Sequence, residues 1–193
     1  MYLKLILKNH YCHGARCYHR SNCRLTKSLA RIGLVIGVIL SCLGQVNAAD
    51  YATVLMYHRF GEDNYPSTNI RLDQFDAHLE KLANGNYTVL SLAKIIRHLQ
   101  DGTELPDRTV AITIDDAYLS VYTEAWPRLK EYDFPFTIFI ATDPVDNNHR
   151  NYMNWNQIRE LQDNGVTIGS QTKPHPHMHR LSPIKIEQEI ALS

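Results

Sequence analysis

Thr109-Val110-Ala111-Ile112-Thr113-Ile114-Asp115-Asp116 sets five β-branched residues and one alanine directly before two carboxylates. A short apolar run of this kind reads as a buried strand, and the carboxylates fall where that strand gives way to a loop. In parallel α/β folds the carboxyl ends of strands converge on one mouth, so Asp115 and Asp116 are expected where a site is built. Two adjacent acids repel, and the pair is costly unless a cation lies beside it or one carboxyl takes up a proton.

On either side of this stretch, short apolar runs alternate with amphipathic ones, the pattern of β-α units around a parallel sheet. Residues 52–57 read as a buried strand, and 59–68, with Gly61, Asn64 and Pro66, as a loop. Leu72, Phe75, Leu79 and Leu82 share a helical face that Asn84-Gly85-Asn86 ends. Residues 87–90 form a short strand. Ser91 then caps a helix with Leu92, Ile95, Ile96 and Leu99 inside, closed by Asp101-Gly102.

Beyond the aspartates, Val121, Tyr122, Ala125 and Leu129 predict a helix interrupted or begun late at Pro127. Residues 136–140 and 166–170 are strands. Between them Asn154 and Gln157 form a capping-box pattern before Trp155, Ile158 and Leu161. Ser182-Pro183 starts a last helix, expected to be still running at Ser193 and so to mark a truncated domain.

Charge and cysteine divide the chain. Residues 1–49 hold seven Lys/Arg and no acid, whereas 50–193 hold thirteen Lys/Arg against twenty Asp/Glu. An acidic body is a poor match for a phosphate backbone, so no nucleic-acid partner is expected. Arg24, Lys27 and Arg31 precede an apolar run over 32–43, followed by Val46-Asn47-Ala48-Ala49. That order reads as a signal peptide with an overlong basic region and cleavage near Ala48, the other reading being an uncleaved N-terminal anchor. The domains expected are therefore 1–48, the signal, and 49–193, the body. The run falls short of the ~20 apolar residues of a bilayer span, so no stable membrane insertion is expected after cleavage. Cys12, Cys17, Cys23 and Cys42 all lie in the leader, at spacings that match no C-x2-C zinc pair.

A second cluster strengthens the first. After the strand at 166–170 comes Gln171-Thr172-Lys173-Pro174-His175-Pro176-His177-Met178-His179, three imidazoles in a proline-rich loop. Taken singly, the acid pair reads as an ordinary turn or cap and the loop as a solvated His-rich segment. Together, each after a buried strand, they favour a divalent-metal site of carboxylate and imidazole.

These residues resemble the polysaccharide deacetylases, carbohydrate esterase family 4 or the NodB-homology group. The family motif Thr-Phe-Asp-Asp-Gly is matched by Thr113-Ile114-Asp115-Asp116-Ala117. Its His-Ser/Thr-x-x-His-Pro, after Ile-Gly-Ser, is matched by Ile168-Gly169-Ser170 and Gln171 through Pro176. Leu55-Met56-Tyr57-His58-Arg59-Phe60 and Phe136-Thr137-Ile138-Phe139-Ile140 are similar to its opening and to the strand between its motifs.

The resemblance covers about residues 52–193. It implies an α/β fold, an incomplete (β/α) barrel with parallel strands and outer helices. It also implies a metal-dependent hydrolase that removes N-acetyl groups from an amino-sugar polysaccharide, exported to the periplasm or cell exterior. Asp115 would be the general base, Asp116 and His175 metal ligands, and the ion Zn, with Co, Ni or Fe as alternatives. His58 is expected to line the mouth as a substrate-binding residue.

Two positions depart from the family. Gln171 stands where a metal histidine is usual, so that it is a poorer third ligand, or His177 or His179 takes its place, or metal binding is lost. Ala117 stands for glycine and predicts a turn that needs no positive φ. The family's later motifs do not occur before Ser193, so the chain alone is expected to have little activity. Other readings are an O-acetyl glycan esterase, a non-catalytic carbohydrate-binding relative, and a zinc-binding regulator built on the leader.

Overall fold

The structure, a computed structural model, describes residues 5–8, 48–49 and 51–193. The apolar run and the four leader cysteines lie outside the described residues, as does most of the expected signal peptide. Within that leader Leu5–Lys8 forms strand β1, and β2 is Ala48–Ala49. Among the described residues no helix is long and apolar enough to cross a membrane.

β3 spans Tyr51–Tyr57, and the expected loop after it holds two very short strands, β4 (Arg59–Phe60) and β5 (Asn69–Ile70), paired in parallel. Such a pair forms only when the chain returns on itself, which no local pattern announces. Helix α1, Leu72–Asn84, buries Phe75, Leu79 and Leu82. β6 is Thr88–Val89, and α2 is Leu92–Asp101. Ser91 accepts the Lys94 N–H at its start, and Gly102 closes it at φ 63°, the left-handed region glycine enters freely. Only Ile95 of α2 is fully buried; Ile96, expected inside, is 40% exposed. Neighbouring residues point about 100° apart around a helix of 3.6 residues per turn, so the two share one narrow buried stripe poorly.

β7 (Leu105–Pro106) pairs with β2, and β8 is Thr109–Asp115. Val121–Ala125 is a π-turn leading into α3, Trp126–Glu131. Pro127 has no N–H to donate and crowds the carbonyl four residues back, so the preceding turn widens and Trp126 N–H reaches Val121 O. Then follow β9 (Phe136–Ile140), the short α4 (Thr142–Asp146), α5 (Trp155–Asp163) and β10 (Thr167–Ser170). The Asn154–Gln157 capping box is complete. The last helix, α6, is Pro183–Ala191 and closes before Ser193, with Leu192 as its C-cap.

The main sheet has six strands in the order β1-β3-β8-β9-β10, with β6 also on β8. All its pairings are parallel except β1 with β3. This is the α/β arrangement of parallel strands and outer helices, and among the described residues it does not close into a barrel. Both faces are covered. Val110, Ile112 and Ile114 belong to the larger core with α1, α3 and α5, while Ala52, Val54 and Ala111 pack with Ile95 and Leu105. Side chains alternate along a strand, which places Asp115 on the face of Ala111.

Candidate active site

Register brings the site together before any side chain is considered. Tyr57 pairs with Ile114, so His58, one residue on, is level with Asp115. Asp115 pairs with Phe139, and Phe139 with Gly169, so the loops after β3, β8, β9 and β10 open on one edge. Gly169 is required there: a Cβ at that position would meet the Phe139 ring at 2.6 Å.

Asp115 is enclosed, with 15% of its side chain exposed, and His58 Nε2 lies 3.8 Å from its Oδ2. Burial holds the Asp115 carboxyl above the usual range and the Asp116 charge pushes the same way, while His58 and His175 draw it down. Asp115, Asp116, His58 and His175 are therefore electrostatic neighbours, as the sequence predicts. His175 itself is exposed.

The turn after Asp115 overturns one expectation. Asp116 has φ 73° and Ala117 φ 45°, so the turn does enter the left-handed region and does so without glycine. Such residues are strained by roughly 1–3 kcal/mol and persist where surrounding contacts over-determine them. The contacts are present. Asp116 N–H donates to Phe139 O, Met153 N–H to Ala117 O, and Leu119 N–H to Asn151 O, while Tyr118 bridges Tyr152. Ala117 is fully buried.

Gln171 is at the mouth, but its amide oxygen accepts the Asp116 N–H at 3.3 Å. The Gln171 backbone N–H donates to Ile140 O at 2.8 Å. The imidazoles of His177 and His179 lie 5.8 Å apart, beside each other. Among the described residues no group of three or more His, Cys, Asp or Glu side chains is placed to hold a metal ion. A catalytic zinc site takes three protein ligands. The chain offers two conventional ones, Asp116 and His175, and an amide oxygen already engaged, so the donor set falls one short of a catalytic zinc site.

Sequence reasoning missed the support beneath the mouth. Arg59 is buried, with its guanidinium 3.8 Å from the Tyr65 ring centroid and 3.4 Å from that of Tyr118. It pairs with Glu62 at 2.6 Å, Glu62 accepts from Ser120, and Ser120 accepts the Phe60 N–H. This network ties the loop after β3 to the loop after β8. Its partners are far apart in sequence, and an arginine in a loop carries no local sign of burial.

Comparison with known proteins agrees with this arrangement. Residues 102–193 match the family profile described as Polysaccharide deacetylase. YxkH of Bacillus subtilis (strain 168), a polysaccharide deacetylase by name, is 29% identical over 138 residues, 72% of this chain and 48% of its own length. A poly-β-1,6-N-acetyl-D-glucosamine N-deacetylase of Staphylococcus aureus (strain MRSA252) is 26% identical over 139 residues, again 72% of this chain and 48% of the relative. The chain thus spans about half the length of these curated relatives. Among solved structures, the Streptococcus pyogenes deacetylase PplD in complex with acetate superposes with a TM-score of 0.64 at 26% identity, over 70% of this chain and 62% of that one. IcaB from Ammonifex degensii does so with 0.58 at 27%, over 69% and 57%. The acid doublet lies within the matched stretch, and the chain is similar to polysaccharide deacetylases in sequence and in fold.

Proposed function

We propose that this chain carries part of the working centre of an enzyme that hydrolyses N-acetyl groups on an amino-sugar polysaccharide of the β-1,6-glucosamine type. The observation that carries the reading is Asp115, an enclosed carboxyl at the end of a central strand with its proton affinity raised and His58 at 3.8 Å. A base needs such a raised affinity, because a carboxylate in its ordinary range scarcely takes a proton from water at neutral pH.

Asp115 accepts the proton of a water whose oxygen bonds to the acetamide carbon; the C–N bond then breaks, the nitrogen takes up the proton that Asp115 accepted, and acetate leaves. His58 and His175 flank the base and temper its charge, and His58 borders a depression lined by Tyr57, Thr68, Asn69 and Gln74, where a sugar ring would rest. Family members are generally metal-dependent. Here Asp116 and His175 are the residues that would meet a divalent ion such as Zn, one conventional ligand short of a full set. The basic leader and its apolar run support export to the periplasm or cell exterior, with residues 1–48 as the signal and 49–193 as the retained part.

The test is acetate release from a poly-β-1,6-N-acetylglucosamine oligomer by protein containing this chain. Asp115→Asn is expected to lower the rate by about 100-fold or more, the scale of a general base. Equal rates in the two proteins would sink the assignment. The engaged amide of Gln171 favours one second reading, a relative that binds the glycan without cleaving it; binding without acetate release would establish it.

A further inference from the structure

Position 171 is where the donor set and the family pattern disagree, and the geometry gives the residue there a different task. The Asp116 N–H points at two acceptors, Phe139 O at 3.0 Å and the Gln171 amide oxygen at 3.3 Å. Gln171 is anchored in turn through its backbone N–H on Ile140 O. It therefore reaches from the end of β10 across β9 to the left-handed residue at the end of β8. A metal-bound imidazole has no lone pair left to accept an N–H, since one nitrogen is on the ion and the other carries a proton. A primary amide oxygen keeps two lone pairs and accepts readily.

We propose that Gln171 is a positioning residue that clamps the Asp116 backbone instead of ligating metal, leaving a centre that takes Zn²⁺ through Asp116 and His175 alone and holds it weakly. The inference rests on the mouth being the working site described above. It deepens that reading by making metal retention a property of residue 171.

Two measurements on the full chain, both made without glycan, test it. The first is Zn²⁺ titration against a chelating indicator, with the visible spectrum of Co²⁺ as a check on geometry. Gln171→His is expected to bind Zn²⁺ about 100-fold tighter than the parent and to give a tetrahedral Co²⁺ spectrum. Gln171→Glu, which keeps an acceptor oxygen and adds a charged ligand, is expected to gain affinity as well, and it decides the matter should the histidine variant fail to fold. A parent chain that already binds Zn²⁺ as tightly as these variants overturns the proposal, as does a folded variant with no gain.

The second measurement is amide hydrogen exchange at Asp116. Gln171→Ala is expected to speed it about tenfold and Gln171→Glu to restore it; an unchanged rate in Gln171→Ala removes the clamp. Because neither readout involves acetate, a failure here is distinguishable from a failure of the deacetylase reading.

Discussion

The loops after β8 and β10 open on the same mouth and are held very differently. The β8 loop leaves a strand buried over Thr109–Ile114 and paired on both sides; its residues Ala117 and Tyr118 are buried and its backbone is fastened to β9 and to residues 151–153. The β10 loop leaves a strand that pairs only with β9 among the described residues. It is fastened by Thr142 N–H to Thr172 O and Asp143 N–H to Lys173 O, and most of it is exposed. Both loops contain non-glycine residues at positive φ, Asp116 and Ala117 in one, Thr172 and His175 in the other. The same strain is thus enforced by burial in the first loop and borne near water in the second. The difference teaches that the base is fixed by the sheet, whereas the imidazole side of the site is adjustable.

The largest effect expected from breaking this contrast is at Ala117. Ala117→Val places a β-branched side chain at φ 45° in a space with no exposure. It should destabilise by about 3 kcal/mol or more, read by denaturant unfolding, because branched residues rarely adopt this conformation and the site has no room. His175→Val, which introduces the same β-branching at φ 58° on an exposed residue, is the internal control. An equal loss in both would show that burial does not distinguish the loops.

Next in size is Gly169→Ala, which forces the Phe139 ring away from β10. A loss of about 1–3 kcal/mol is expected from overpacking, together with displacement of Gln171, visible as altered amide shifts there. No change in either would mean that the ring swings aside freely.

The smallest effect is on the pH dependence of stability. Asp115 has a raised folded-state pKa, so its contribution to stability is fully present below the unfolded carboxylate pKa and is lost as pH rises through the folded value. Asp115→Asn should therefore melt higher than the parent at neutral pH, the gap closing as the solution is made acidic. A lower melting point at neutral pH would mean that the histidines outweigh burial.

Local signals in the sequence located most elements. The Ser91 cap, the Asn154–Gln157 box, the break at Pro127 and the apolar runs at 52–57, 109–114 and 136–140 all correspond to structure. They succeeded because each is decided within a turn or two of chain. The acid doublet and His175 were legible for a related reason, since strand ends of a parallel sheet meet by topology. What was not legible was decided at a distance. The φ of Ala117 is set by Met153 and that of Asp116 by Phe139 and Gln171, and the pairing of β4 with β5 depends on the chain's return. The role of Gln171 likewise depends on an N–H 55 residues earlier.

The buried guanidinium of Arg59 has an effect on how the mouth responds to the medium. Its pairing with Glu62 lies between two aromatic rings with only 9% of the arginine side chain exposed, whereas the Arg71–Asp73 pair stands 59% and 71% exposed. Mobile ions screen exposed charges over about 8 Å at physiological strength and penetrate little between packed rings. Concentrated electrolyte therefore slackens the outer pair and leaves the rim around the base in register, so the cleft keeps its shape in brines that would loosen an edge held by surface charges alone.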